Sequence, residues 1–274
     1  MGRFDGILIC TDLDGTLLRN DKTVSRENLD AIEYFKSEGG YFTFVTGRMP
    51  FFVSKIYETI RPNAPIGCIN GGGLFDYENQ RYLWSQTLPR DVVELVEYAD
   101  KHIEGLGIQL NALDKIYFCK ENAEMARFRE STGVPNLVSD YNAVDEPIGK
   151  IVFGDDNEEH ILCLTELLDS HPRAEEFDFI RSEKTLYEIL PKGVSKGSVL
   201  PRLAAVLGVD MSNTVAIGDY NNDVSMLRAA GLGIAVANAT LECKAAADHV
   251  TVSNEEHAVA RIISDLDKGI LKLS

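Results

Sequence analysis

The sequence predicts an α/β protein: a doubly wound, Rossmann-like parallel-sheet core with an inserted α+β domain. Three observations predict it. Short apolar runs alternate with helical periods from Ile7 to Ile69, the βαβαβ order of a parallel sheet. The middle of the chain, about 84–191, sets strands beside one another, as antiparallel α+β segments do. From Ser195 the βα rhythm returns.

Each element has a local reason. Ile7–Cys10 is short and wholly apolar, the mark of a strand buried on both faces. Ser25 can cap a helix with apolar positions Leu29, Ile32 and Phe35, ended by Gly39 and Gly40. Tyr41–Val45 reads as the second strand, Val53, Ile56, Tyr57 and Ile60 as the second helix, and Ile66–Ile69 as the third strand. Just before the middle segment, Leu74-Phe75 and Tyr82-Leu83 flank Glu78-Asn79 as a hairpin. Pro89 opens a helix to about Ile103. Gly107–Ala112 and Lys115–Cys119 then pair as strands. A helix at Asn122–Glu130, a strand at Ile148–Phe153, a helix at Glu158–Leu168 and strands at Phe177–Arg181 and Leu186–Leu190 complete the insert. Beyond it, Ser195–Leu207 is helical in pattern, and Pro201 is expected to kink it or shift its start. Thr214–Ile217, Gly233–Val236 and His249–Val252 read as strands, Asp223–Ala230 and Val259–Leu266 as helices.

Composition narrows the function classes. Of 274 residues, 45% are hydrophobic and 26% charged, which excludes disordered and fibrous chains. The net charge of −16 repels nucleic-acid phosphates and anionic membrane surfaces, so neither is an expected partner. An anionic substrate would then need a local positive trap, such as a metal ion. No apolar run approaches the ~20 residues of a membrane span, and no export signal is read at the start, so the expected compartment is the cytoplasm. Five scattered cysteines without a CxxC pair argue for reduced thiols rather than disulfides or a zinc ribbon. The single histidines show no ligand spacing, and Trp84 reads as a packing anchor.

The chemistry gathers at strand ends. Asp12-Leu13-Asp14-Gly15-Thr16 follows the first strand, and in extended chain positions i and i+2 face one side, ~7 Å apart. Two such carboxylates can serve as nucleophile and general acid/base, at the sheet edge where open α/β folds bind ligands. The alternative is a turn with two capping aspartates. Thr46-Gly47-Arg48 follows the second strand and offers a hydroxyl and a backbone N–H to an anion, although Thr-Gly is also ordinary turn chemistry. Lys196 lies near a helix start; a lone lysine is usually a solvated charge. Gly218-Asp219-Tyr220-Asn221-Asn222-Asp223 carries carboxylates at i and i+4, which share a face if the turn is helical. Such oxygen donors suit Mg²⁺, and an acidic helix-capping loop is the other reading.

These four segments, in this order, resemble the motifs of the haloacid dehalogenase-like hydrolase superfamily. Asn70-Gly71-Gly72 and Ser253-Asn254 resemble segments of its Cof-type subfamily, mostly sugar-phosphate phosphatases. The short span from Asp14 to Thr46 and the long one from Arg48 to Lys196 match a type IIB cap. The resemblance therefore implies a hydrolase core at 1–83 and 192–274 and a cap at 84–191. Pro201 and His257-Ala258 depart from the usual pattern.

The resemblance implies roles. Asp12 attacks phosphorus and forms an aspartyl phosphate; Asp14 protonates the leaving oxygen and then activates water. Asp12, the backbone carbonyl of Asp14, and Asp219 hold Mg²⁺, with Asp223 supporting its water shell. Thr46, Gly47, Lys196 and Asn222 bind the phosphoryl oxygens. The expected activity is an Mg²⁺-dependent phosphatase on a small phosphorylated metabolite, a sugar phosphate first of all, with selectivity supplied by the cap. A phosphomutase and a non-catalytic phosphometabolite sensor are the alternatives. The oligomeric state is left open.

Overall fold

The structure, a computed structural model, describes residues 2–273. It divides into two compact units: the chain up to Trp84 together with that from Ser195 onward, and Ser85–Val194. The first unit holds β1 (Leu8–Thr11), α1 (Arg26–Ser37), β2 (Tyr41–Phe44), α2 (Ser54–Ile60), β3 (Ile66–Cys68) and β4 (Gly73–Asp76). The hairpin's second strand, β5 (Arg81–Ser85), runs to the boundary.

The second unit contains α3 (Val93–His102), β6 (Gly107–Ala112), β7 (Ile116–Lys120), α4 (Ala123–Thr132), β8 (Leu137–Val138), β9 (Ile148–Gly154), α5 (Glu158–Asp169), β10 (Phe177–Glu183) and β11 (Leu186–Pro191). The chain returns to the first unit with α6 (Lys196–Leu207), β12 (Thr214–Gly218), α7 (Val224–Ala229), β13 (Leu232–Ala235), α8 (Leu241–Ala246), β14 (His249–Val250) and α9 (Ala258–Asp267). Two short elements, β8 and α8, are not expected from the sequence: both residues of β8 are exposed and α8 buries only Cys243, so neither leaves an apolar pattern.

The first unit's sheet is parallel, in the order β14-β13-β12-β1-β2. A single parallel bridge, Val45 to Gly67, continues it to β3. Central β1 is wholly buried, which is why it is apolar up to Thr11, whose buried hydroxyl donates to the Asp12 carbonyl at 2.8 Å. Its neighbours β2 and β12 come from opposite ends of the sequence, so the strand order reverses there. The crevice beyond the carboxyl ends of β1 and β12 is the position where such sheets bind ligands.

The helix starting at Ser195 keeps its expected start. Ser195 caps α6 by accepting from the Ser198 N–H, and Ser198 Oγ accepts from the Ser195 N–H. Pro201 lies inside the helix without ending it. Trp84 carries the Arg202 guanidinium 4.1 Å from its ring centroid.

The second unit builds a six-stranded sheet, β10-β11-β9-β6-β7-β8, antiparallel except for β7 and β8. One face carries Ile108, Leu110, Ile151, Phe153, Tyr187 and Ile189, packed in one core with residues of α3 and α5. The other carries Gln109, Asn111, Lys150 and Glu188, all buried. Lys150 Nζ lies 2.9 Å from Glu188 Oε2, both side chains under 10% exposed. Glu188→Leu would leave the ammonium buried without that counter-charge, a loss of about 3–5 kcal/mol. Urea unfolding should register that loss, and adding Lys150→Met should recover most of it. An unchanged midpoint would show that the pair does not hold this sheet.

Among the described residues no helix is long and apolar enough to cross a membrane. Cys10, Cys68 and Cys243 are buried, Cys119 is half-buried and Cys163 exposed, all as free thiols.

Candidate active site

All eight sequence-derived site residues belong to the first unit. The extended-chain expectation for the first two needs correcting, because β1 ends at Thr11. The Asp12 N–H still reaches the Ile217 carbonyl at 2.8 Å, one step past the ladder, so Asp12 is anchored at the strand end. The chain then turns. Leu13 is buried, and Gly15 sits at φ 79, a left-handed conformation that glycine adopts without cost. A side chain at Gly15 would also run into the Asp219 carboxylate. The turn sends Asp12 and Asp14 to different partners.

Asp12 faces Lys196. That lysine is the first residue of α6, its side chain 1% exposed, and its Nζ lies 2.6 Å from Asp12 Oδ1 and 2.6 Å from Asp223 Oδ1. The solvated reading of a lone lysine is therefore wrong for Lys196. Asp223 turns its other oxygen to the N–H groups of Asp219 (3.0 Å) and Tyr220 (3.1 Å). This backbone clasp, not a shared helical face, brings the two acidic residues of the loop together. Gly218 is required there, since a Cβ would collide with the Asp223 side chain. Thr16 donates its hydroxyl to Asp219 Oδ1 at 2.6 Å. Asp12, Asp219 and Asp223 each offer an oxygen within 4.8 Å of the others.

The electrostatics follow from that crowding. Three carboxylates face one ammonium. Burial, opposed by Lys196 and reinforced by Asp223 and Asp219, pushes Asp12 well above the usual carboxylate range. Burial and then Asp223 push Asp219 up to about 6. Lys196 rises as well: burial works against its charge, but Asp12 and Asp223 outweigh it. The cluster is short of positive charge, and its donors are hard oxygens in the number and spacing that a divalent cation accepts.

Asp14 has the opposite environment. Arg48 grips it with two hydrogen bonds, Nε to Oδ2 at 2.8 Å and NH2 to Oδ1 at 2.7 Å, and Lys22 Nζ adds a third at 2.9 Å. Burial tends to raise this carboxyl, but Arg48 and Lys22 overcome it and hold the group below its ordinary value. The Asp14 carboxylate is thus held by cations of its own and is not one of the three clustered carboxylates, although its charge adds to the rise of Asp219. Thr46 is buried and its hydroxyl accepts from the Arg48 N–H at 3.2 Å. Gly47 abuts Asn70, where a Cβ would come within 2.9 Å of Oδ1. Asn222 donates from Nδ2 to the same Asn70 oxygen at 3.1 Å.

Four contributors had no assigned role in the sequence reading: Thr16, Lys22, Arg48 and Asn70. Thr16 and Arg48 stood inside the motifs, and Asn70 beside a glycine pair. Lys22 gave no signal, because an exposed loop lysine looks like any other.

A family model described as haloacid dehalogenase-like hydrolase matches residues 9–263. The chain belongs to the haloacid dehalogenase-like hydrolases. Within them it is of the Cof type with a type IIB cap. Among relatives of this hydrolase, the 5-amino-6-(5-phospho-D-ribitylamino)uracil phosphatase YitU of Bacillus subtilis (strain 168) is 29% identical, over 94% of this chain and 96% of its own. The putative phosphatase YxeH of the same organism is 30% identical, over 94% of this chain and 97% of its own. Among solved structures, the subclass IIB sugar phosphatase BT4131 shares the fold with a TM-score of 0.82 at 22% identity, covering 97% of this chain and 100% of that one. The haloacid dehalogenase-like chain is accordingly a phosphoric monoester hydrolase.

Proposed function

We propose that the chain hydrolyses a small phosphorylated metabolite, a sugar or polyol phosphate, through an aspartyl phosphate on Asp12. The observation that carries this reading is the buried Asp12–Lys196–Asp223 chain beside Asp219, with Asp14 held separately. A nucleophile and a general acid need opposite protonation at one moment. The surroundings keep the two carboxyls distinct, but in the free site they raise Asp12 and lower Asp14, so binding of the cation and the phosphoryl group would have to leave Asp12 ionised and a proton on Asp14. The phosphorylated ribityl chain in the name of the YitU relative supports a polyol phosphate as the substrate class.

In the first half-reaction an Asp12 oxygen bonds to phosphorus while the ester oxygen leaves and takes a proton from Asp14. In the second, Asp14 takes a proton from water, whose oxygen attacks phosphorus and releases Asp12 and inorganic phosphate. Lys196 favours the ionised Asp12 and, with Thr46, Gly47 and Asn222, binds the phosphoryl oxygens. Asp12, Asp219 and the backbone carbonyl of Asp14 would hold Mg²⁺, with Asp223 supporting its waters, and the ion would neutralise charge on the phosphoryl group. No single group could supply an acceleration that reaches ~10²¹ for phosphate monoesters, so these contributions must act together. Residues 84–191 would be the cap and the rest the hydrolase core, working in the cytoplasm.

Phosphate release from p-nitrophenyl phosphate and a panel of sugar and polyol phosphates, including 5-amino-6-(5-phospho-D-ribitylamino)uracil, tests the reading. No release from any of them with Mg²⁺ present would overturn it. The grip on Asp14 gives a sharper test. A positioned general acid/base contributes about 10²–10⁴-fold, so Arg48→Ala is expected to lower kcat about 10²-fold with little change in KM. Arg48→Lys should not restore it, because a point charge cannot reproduce the two-pronged grip. An unchanged kcat would remove Arg48 from the mechanism.

A further inference from the structure

The segment after β3 is conformationally costly. Ile69 has φ 54 and Asn70 φ 53, followed by Gly71 at φ 93. A left-handed backbone is rare for a β-branched residue, and Ile69 and Asn70 are fully buried. Such strain persists only where the surroundings over-determine it, and it tends to collect at functional sites.

The surroundings here are the phosphoryl-binding segments. The Ile69 N–H reaches the Arg48 carbonyl at 3.1 Å, and the Asn70 N–H the Thr46 carbonyl at 3.0 Å. Gly71 lies so close to the Ser195 carbonyl, at the cap of the helix carrying Lys196, that a Cβ could not fit. The Asn70 side chain touches the remaining two: it abuts Gly47, and its Oδ1 accepts from Asn222 Nδ2 at 3.1 Å. One strained turn thus meets the segments that carry Thr46, Gly47, Lys196 and Asn222.

We infer that Asn70 is a positioning residue for the phosphoryl subsite, acting through Asn222. A carboxamide has a donating end and an accepting end, which it can exchange by rotating about its last bond. Beside an anionic phosphoryl group, only the donating end helps. Asn70 Oδ1 takes one proton of Asn222 Nδ2, which fixes the amide's rotation and leaves the second proton of the same nitrogen for a phosphoryl oxygen. The left-handed turn is what brings the Asn70 carboxamide to that place.

The inference rests on the reading of Asn222 as a phosphoryl contact, and the experiment separates the two. Asn70→Gly accepts φ 53 and deletes only the carboxamide; Asn70→Ala, which removes the same group, replaces it if the glycine variant does not fold. These variants, Asn222→Ala and the double variants are compared by kcat/KM for p-nitrophenyl phosphate and by competitive inhibition with inorganic phosphate. Loss of one preorganised donor costs about 10²–10³-fold, so Asn222→Ala should lower kcat/KM by at least 10²-fold and weaken phosphate binding. Losing the orientation but not the donor should cost less, about tenfold for Asn70→Gly. In the Asn222→Ala background, Asn70→Gly should add less than about twofold, because nothing is left to orient. A full effect in that background, or none in the wild type while Asn222→Ala is impaired, overturns the positioning role alone. An unimpaired Asn222→Ala overturns the phosphoryl-contact reading and the inference with it.

Discussion

Asp12→Asn is expected to abolish phosphate release, by at least about 10⁴-fold in kcat, while the protein remains folded. A carboxamide oxygen is a poor nucleophile, and removal of one member of a jointly acting catalytic set has cost up to ~10⁶-fold elsewhere. The shape is unchanged, and Lys196 keeps its 2.6 Å partner Asp223, so the buried ammonium is not stranded. The expected sign for stability follows from the crowding. An Asp12 pushed well above its ordinary range by burial and two neighbouring carboxylates is a cost to the folded state once ionised. Above the ordinary carboxyl range, metal-free Asp12→Asn should therefore melt no lower than the wild type. This is the trade between stability and activity that active sites commonly hold. Phosphate release, circular dichroism and a melting curve check it. Near wild-type turnover in a folded variant would sink the nucleophile assignment.

How much was legible in the sequence depends on the range of the interaction concerned. The parallel sheet was readable because burial on both faces leaves a plain apolar run, as in Ile7–Cys10, three residues of which lie in β1. The hairpin after the third strand was readable from turn residues between apolar pairs, and β4 and β5 flank that turn. The third strand itself ends at Cys68, one residue early, because Ile69 goes left-handed under tertiary constraint that no local propensity announces. Within the site, Asp12 and Asp14 could be found as a pair from their spacing but not told apart by it. What separates them is contact between residues distant in sequence. Lys196 reaches Asp12 across 184 positions and Arg48 reaches Asp14 across 34. The Asn70–Asn222 contact spans 152 positions; both residues stand in segments that resemble the family's, but nothing local joins them.

Chelation of divalent cations by EDTA is expected to reduce phosphate release to background, and added Mg²⁺ to restore it. Three carboxylates with oxygens within 4.8 Å of one another face the single ammonium of Lys196, so the ionised cluster carries an excess of two negative charges. An anionic substrate would be repelled from it unless a cation came first. The same imbalance predicts a pH signature independent of turnover. Asp219 is raised from 3.8 to about 6, mainly by burial and by Asp223. A carboxyl raised in the folded state favours folding fully at pH values below its unfolded value, and that contribution is lost as pH rises through the folded one. The metal-free protein should therefore lose stability from this group between about pH 4 and pH 6. Above that window Mg²⁺ should replace the lost proton; below it, the proton competes with the ion for the same oxygen. At a hundredfold excess over its dissociation constant the ion would contribute about 2.7 kcal/mol, or roughly 5–10 °C in melting temperature for a unit of this size. Melting curves with and without Mg²⁺ should show that rise at pH 8 and little of it at pH 5. Full activity in exhaustively chelated protein, or an equal rise at both pH values, would remove the metal from the Asp12–Asp219–Asp223 cluster.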